Sequence, residues 1–462
     1  MNKKVIAAIA MTTALLSVAA TRRRATLPPA TVPPLDVTRS FAVTDLALLD
    51  NYFPFPRVLN YLVAGSGTSG SQLIRQMFDT QNPRPGKADS LAPHCDDFLV
   101  GGAATFNGFP RRCPTAEATI AATAPDLARF RPLALINRFD MAPADGANCG
   151  QYRMIFAAVV TPTSARYSRI HLILEAVLPN PHREEGLRGC RPVAQFWADL
   201  SSIDSPVERR VRLEKFFFDG IDGFEPVVRA DHYTAASGGG IRSRQLASAE
   251  TQRWRAYQFH VDRQCPASGL CTLRLVPDLL ENLPFGPMFD ATNDTPVARA
   301  FRENFVAQVP ALAVNDLNAF RMNVDSRFLV VESDPVDDFF AFDFLIPFRQ
   351  SQSSEAGKAF RAQIDAELKR VGSALTPEDI VARAQTQTCN GCHFVPQSIG
   401  GGLIFPGALD TNQVHDLVTN TGNEDSGSRW ATSPAMDKVF LPNRMRILKE
   451  FLEIGKAPEH SN

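Results

Sequence analysis

The order of apolar and polar positions divides the chain into three stretches. Val5 to Ala20 is an apolar run of 16 residues, broken only by Thr12, Thr13 and Ser17. From about residue 41 to about 350, short apolar runs with a period of two alternate with helical segments. Beyond about residue 350 the helical period takes over. Arg153 to Val160 predicts a strand, and Ser168 to Leu178 predicts another. In the second, Ile170, Leu172 and Leu174 alternate against Arg169, His171 and Glu175. Thr161-Pro162-Thr163-Ser164 between them is turn chemistry, so the two predict an antiparallel pair. Further strands are expected at Trp254–Val261, Thr272–Val276, Arg327–Glu332 and Phe342–Phe348.

Helix signals interrupt these strands. Ser205-Pro206-Val207-Glu208 has the form of a capping box with proline in the first turn, and Gly220 closes that helix. Thr295-Pro296 opens a helix expected to reach about Val306. In the last stretch Ser354 to Val371 predicts a helix with a polar face. Thr376-Pro377-Glu378-Asp379 caps the next helix, which runs to about Thr388. After a Gly400-Gly401-Gly402 loop, Arg444 to Ile454 predicts an amphipathic helix. Its apolar face is Ile447, Leu448, Phe451 and Leu452. Together these elements predict an α+β fold. A large mixed strand/helix domain over 41–350 is followed by a small, mostly α-helical domain over 351–462.

The N-terminus changes the picture. Met1-Asn2-Lys3-Lys4 ahead of the apolar run, and Val18-Ala19-Ala20 at its end, have the form of a signal peptide over 1–20. The run is shorter than the roughly 20 residues of a membrane span. Residues 21–40, with Pro28, Pro29, Pro33 and Pro34, read as a linker. The expected location is periplasmic or extracellular. A net charge of -1 gives no argument for a nucleic-acid partner or an anionic membrane surface. The Ala236–Gly240 stretch lacks the strand–glycine–helix context of a phosphate loop.

Eight cysteines remain to be placed. Cys389-Asn390-Gly391-Cys392-His393 has the attachment pattern of a c-type haem. Each thiol can add to one vinyl group of the macrocycle, and the histidine that follows offers an imidazole to the iron. The other six are even in number, and an oxidising compartment favours pairing them. Pairing neighbours gives Cys95–Cys113, Cys149–Cys190 and Cys265–Cys271, one of roughly 15 connectivities open to six cysteines. Five other histidines, His94, His171, His182, His232 and His260, read as hydrogen-bonded or surface residues. Asp290-Ala291-Thr292-Asn293-Asp294 lacks the spacing of a calcium loop and reads as a turn.

The order of a helix, Cys-Asn-Gly-Cys-His, loops and a final helix over roughly 375–456 resembles a class I c-type cytochrome domain. That resemblance implies one covalent haem c, His393 as proximal ligand and a loop methionine as the sixth ligand. Met436 stands 43 residues after His393, ahead of the last helix, and is the preferred candidate; Met445 and His415 are the others. Upstream, Asn137-Arg138-Phe139-Asp140 and Cys149-Gly150-Gln151-Tyr152-Arg153 resemble a pattern in uncharacterised secreted bacterial proteins that carry a late Cys-x-x-Cys-His. That likeness implies no activity for residues 41–350. The expected function is one-electron transfer with an unidentified redox partner protein. Two other readings stay open: a peroxidase-like haem oxidoreductase with its substrate site in the large domain, and a haem-free secreted binding protein in which Cys389 and Cys392 form a disulfide.

Overall fold

The computed structural model describes residues 34–78, 99–111, 127–159, 169–248, 253–333, 344–388, 397–406, 418–420 and 428–454. The signal segment, Cys95, Cys113, Cys389, Cys392, His393 and His415 lie outside them. The fold is α+β. Its frame is an eight-stranded antiparallel sheet. In chain order the strands are β1 (Ala42–Val43), β2 (Arg131–Arg138), β3 (Asn148–Val159), β4 (Arg169–Pro179), β5 (Gly240–Ser248), β6 (Arg253–Gln264), β7 (Thr272–Asp278) and β8 (Glu332–Ser333). β1 to β7 lie side by side in sequence order, and β8 pairs with β6. The expected pair is β3 with β4, in a register that sets Arg153 opposite Glu175 and Phe156 opposite Leu172.

One face of the sheet is the first core. Tyr152, Met154, Phe156, Leu172, Leu174, Ile241, Phe259 and Val261 point into it. Five helices cover this face: α1 (Leu46–Tyr52), α2 (Phe55–Leu62), α3 (Gly70–Phe78), α4 (Arg191–Leu200) and α5 (Pro206–Glu214). Trp197 of α4 stacks on Tyr152, 5.8 Å between ring centres with planes 7° apart. Ser205 caps α5 by accepting from the Glu208 amide, and Gly220, at φ 89°, ends the turn that continues it. Val37–Ser40, expected as linker, forms a helical turn instead. Asp36 caps it, and the hydroxyls of Ser40 and Ser201 share a hydrogen bond of 2.5 Å.

The second core is helical. α6 (Pro296–Val306), α7 (Leu345–Ser351), α8 (Glu355–Arg370) and α9 (Pro377–Thr386) enclose a cluster rich in phenylalanine. Phe289 lies 4.9 Å from Phe301, 4.9 Å from Phe305 and 4.5 Å from Phe344. The strand expected over Phe342–Phe348 is therefore corrected: its described part is α7. Phe344, Pro347, Phe348 and Ser351 are buried, a spacing of three and four that suits a helix docking one stripe. The strand expected over Arg327–Glu332 is also corrected. Ser326–Phe328 is a 3-10 turn, and Val330 bonds to Leu280 and Leu283, leaving only Glu332–Ser333 in the sheet.

The last helix, α10 (Leu441–Ile454), returns to the first core, where Leu441, Leu448 and Leu452 are buried. Phe451 packs on Phe139 with ring centres 4.8 Å apart. The hydrophobic cores thus cross the boundary expected near residue 350.

Two of the expected disulfides form, Cys149–Cys190 and Cys265–Cys271. The first ties the start of β3 to the residue that leads into α4, across a sequence separation of 41. Replacing both partners, Cys149→Ser/Cys190→Ser, is expected to cost ~2–4 kcal/mol. Urea unfolding checks this; an unchanged midpoint would show that the cross-link constrains nothing. Gly150 beside it has φ +90°, and a β-carbon there would stand 2.6 Å from the Arg138 carbonyl oxygen. Only glycine lets β3 come this close to the end of β2.

Candidate functional site

The other face of the sheet carries charge. Arg138 of β2, Arg153 of β3, Glu175 of β4, and Arg242 and Arg244 of β5 share it, as the cross-strand register requires. A cleft of about 680 Å³ opens over this face. Six arginines line it: Arg138, Arg153, Arg242, Arg244, Arg321 and Arg444. Two carboxylates, Asp140 and Glu281, line it with them. Phe320, Phe405, Phe440, Ile447, Leu317 and Met322 contribute apolar surface.

Two acids, the partly buried Asp140 and the buried Glu175, order the arginines. Asp140 binds Arg138 through both oxygens, with Nε at 2.9 Å and Nη2 at 2.9 Å, and lies 3.7 Å from Nε of Arg444. Glu175 is 2% exposed, with Arg153 and Arg242 each 3.1 Å away. Burial works against ionisation of both carboxyls. The surrounding guanidiniums, Arg138 first for Asp140 and Arg153 first for Glu175, outweigh it and hold both below their usual range. Burial pushes the Arg153 guanidinium down to about 10, and Arg138, Arg242 and Arg244 add to that push against the pull of Glu175. Burial, followed by repulsion from Arg138, lowers Arg444 well below its ordinary value.

α9 leads into this cleft. Thr376 and Asp379 form a reciprocal capping box at its start. At its other end Thr386, Gln387 and Thr388 are part of the cleft wall. The expected attachment pattern begins at the next residue. Arg383 fixes the helix. Its side chain is fully buried and donates to the carbonyls of Leu312 (3.0 Å), Val314 (2.7 Å), Ile399 (2.9 Å) and Gly400 (3.1 Å). The glycine turn explains itself here: Gly400 has φ +77°, and a β-carbon on it would come 2.2 Å from Cγ of Asp379. Arg383→Met leaves these carbonyls without their donor and is expected to cost ~1.5–3 kcal/mol. Denaturant unfolding tests it; no loss would mean that water replaces the guanidinium.

Cys389, Cys392, His393 and His415 lie outside the described residues. Met436 stands in a π-helical turn, Met436–Phe440, just before α10. It packs against the first core, and its sulfur lies 3.9 Å from Nη2 of Arg444. Met445, on α10, also packs against the first core. Among the described residues the methionines lining the cleft are Met141 and Met322, neither of which stood out in the sequence. The sequence also did not single out Glu175 as a buried acid. The alternation that gave β4 its core face assigns Glu175 to solvent, and only the register with Arg153 brings the charges together.

Among the other histidines, His94 lies outside the described residues. His232 is buried, with Nδ1 3.2 Å from the Val227 carbonyl, and His260 lies 3.4 Å from Asp278. His182 gathers with Glu184 and Glu185 at the surface, their ligand atoms within 4.8 Å of one another. Asp290 accepts from the Thr292 amide at 2.8 Å, as in an Asx turn. Among the described residues no helix is long and apolar enough to cross a membrane. No protein family, no curated protein and no solved structure matches the chain, so its own residues carry the functional reading.

Proposed function

We propose that this chain is an exported c-type haem protein that carries one haem on Cys389 and Cys392 and transfers single electrons. His393 is the proximal ligand in this reading, and Met436 is the positional candidate for the sixth. In this reading the haem-bearing part is the stretch over 351–462, built on cores it shares with the rest of the chain. One observation supports the proposal beyond the motif: Thr386, Gln387 and Thr388, at the end of α9 and just after it, line a cleft, and the Cys-x-x-Cys-His pattern is next in the sequence.

The residues present suit the group. Phe320, Phe405, Phe440 and Ile447 offer apolar contact, and the arginines offer countercharge. Bound there, haem would supply a one-electron couple whose potential depends on axial ligation, burial and nearby charge. The chain's own part is to hold, orient and shield. Arg383 anchors the helix that leads to the motif, and Asp140 and Glu175 keep the arginine wall in place. The two disulfides support export, since such bonds persist in oxidising compartments.

A second reading, a haem-dependent oxidoreductase, draws on the same cleft, because its charged wall could hold a substrate beside the iron. Optical spectra of protein matured with export and haem-attachment machinery separate the two. A low-spin spectrum with a far-red band lost in Met436→Ala supports electron transfer. A high-spin spectrum supports the enzyme. No haem after pyridine extraction and assay of the denatured chain overturns both.

A further inference from the structure

Among the described residues the cleft wall carries more arginines than carboxylates. Six arginines line it against two carboxylates, and Glu175 beneath them is shared by Arg153 and Arg242. Arg444 is 7% exposed, and its Nη1 is buried without a hydrogen-bond partner among the described residues. Leaving a buried guanidinium nitrogen unpaired is costly, so this nitrogen is a donor that a ligand's acceptor can satisfy. Guanidinium forks match planar carboxylates, which accept two parallel hydrogen bonds. Asp140 and Glu175 hold Arg138, Arg153 and Arg242 in place, which lowers the cost of ordering them around a ligand. Phe320, Phe405, Phe440 and Ile447 line the same cleft with apolar surface. A small inorganic anion would leave that surface wet. A neutral hydrophobe would leave Nη1 of Arg444 without an acceptor.

We propose that the cleft binds an amphiphilic carboxylic acid, its carboxylate on the arginine wall around Arg444 and its apolar body against Phe320, Phe405 and Phe440. Two sources share this chemistry. One is the pair of propionates of a haem attached at Cys389 and Cys392, and this source rests on the haem reading above. The other is a free aromatic or aliphatic acid, which does not.

The test uses 1-pyrenebutyrate as a fluorescent probe, and its methyl ester as the uncharged control. The full-length Cys389→Ala/Cys392→Ala chain provides a haem-free cleft. The acid is expected to bind at least about tenfold tighter than the ester, and Arg444→Gln to remove that margin while leaving the ester unaffected. The exposed rim variant Arg321→Gln and added salt are expected to weaken the acid in the same direction, and they keep the test decisive if Arg444→Gln does not fold. Equal binding of acid and ester overturns the proposal, as does acid binding insensitive to both arginines and to salt. The haem-loaded chain then identifies the source. Loss of probe binding, with a reduction potential that moves in Arg444→Gln, assigns the wall to the propionates. Retained acid-selective binding assigns it to a free acid. A chain that takes up no haem ends the haem reading, yet the haem-free arm still decides this one.

Discussion

Cys389→Ala/Cys392→Ala is expected to abolish covalent haem completely, while each single alanine leaves a chain tethered by one thioether at most. The reason is chemical rather than energetic: each vinyl group needs its own thiol, and no other cysteine lies beside His393 in the sequence. His393→Ala is expected to differ in kind. Attachment through sulfur can survive it, but the iron loses its proximal imidazole and the Soret and visible bands change accordingly. Haem staining of denaturing gels, together with pyridine haemochrome spectra, reads the wild type and all four variants. Equal haem in the wild type and the double variant would end the proposal and return Cys389 and Cys392 to disulfide chemistry.

The largest effect on stability is expected at Glu175. Glu175→Gln keeps the shape and removes the charge that Arg153 and Arg242 share. Breaking a buried ion pair from one side costs ~3–5 kcal/mol, because the remaining charge stays buried. The pH dependence carries the sign. The pKa values of Glu175 and Asp140 are lower in the folded chain than their ordinary values of 4.5 and 3.8. Their contribution is therefore complete above those values and is lost as pH falls through the lower, folded ones. Unfolding free energy measured from pH 7 to pH 3 should drop below about 4.5 in the wild type and drop less in Glu175→Gln. Parallel curves would show that the carboxyl is not the group that titrates.

Much of this architecture is legible in the sequence because it is set locally. The strand pair β3–β4 follows from alternation and turn chemistry. The starts of α5, α6, α8 and α9 follow from Ser205, Thr295, Ser354 and Thr376, each of which caps its helix through a side-chain oxygen. The pairing of neighbouring cysteines holds for both described bonds. The misreading of Phe342–Phe348 has a plain cause. Phe344 to Phe348 is apolar on every side of a short run, so period cannot separate strand from helix, and the docking of Phe344 on Phe289 decides. The charged wall of the cleft is a matter of register: Arg138, Arg153, Glu175 and Arg242 are scattered over more than a hundred positions, and nothing local marks them as neighbours. Asn137 is a milder case. Its side chain donates to the Ser40 carbonyl and accepts from the Phe139 amide, so it holds the turn from which Asp140 reaches Arg138.

The return of α10 to the first core has a consequence for the order in which the chain matures. Leu441, Leu448 and Leu452 complete a cluster that begins with Phe41, so residues four hundred positions apart must meet before that core is closed. Contacts of such separation are late and slow to form. A nascent or translocating chain therefore emerges with its early segments still lacking their final cover, and the Cys-x-x-Cys-His stretch emerges before α10. A chain truncated before residue 441 would lose part of the cover of its N-terminal core along with its last helix.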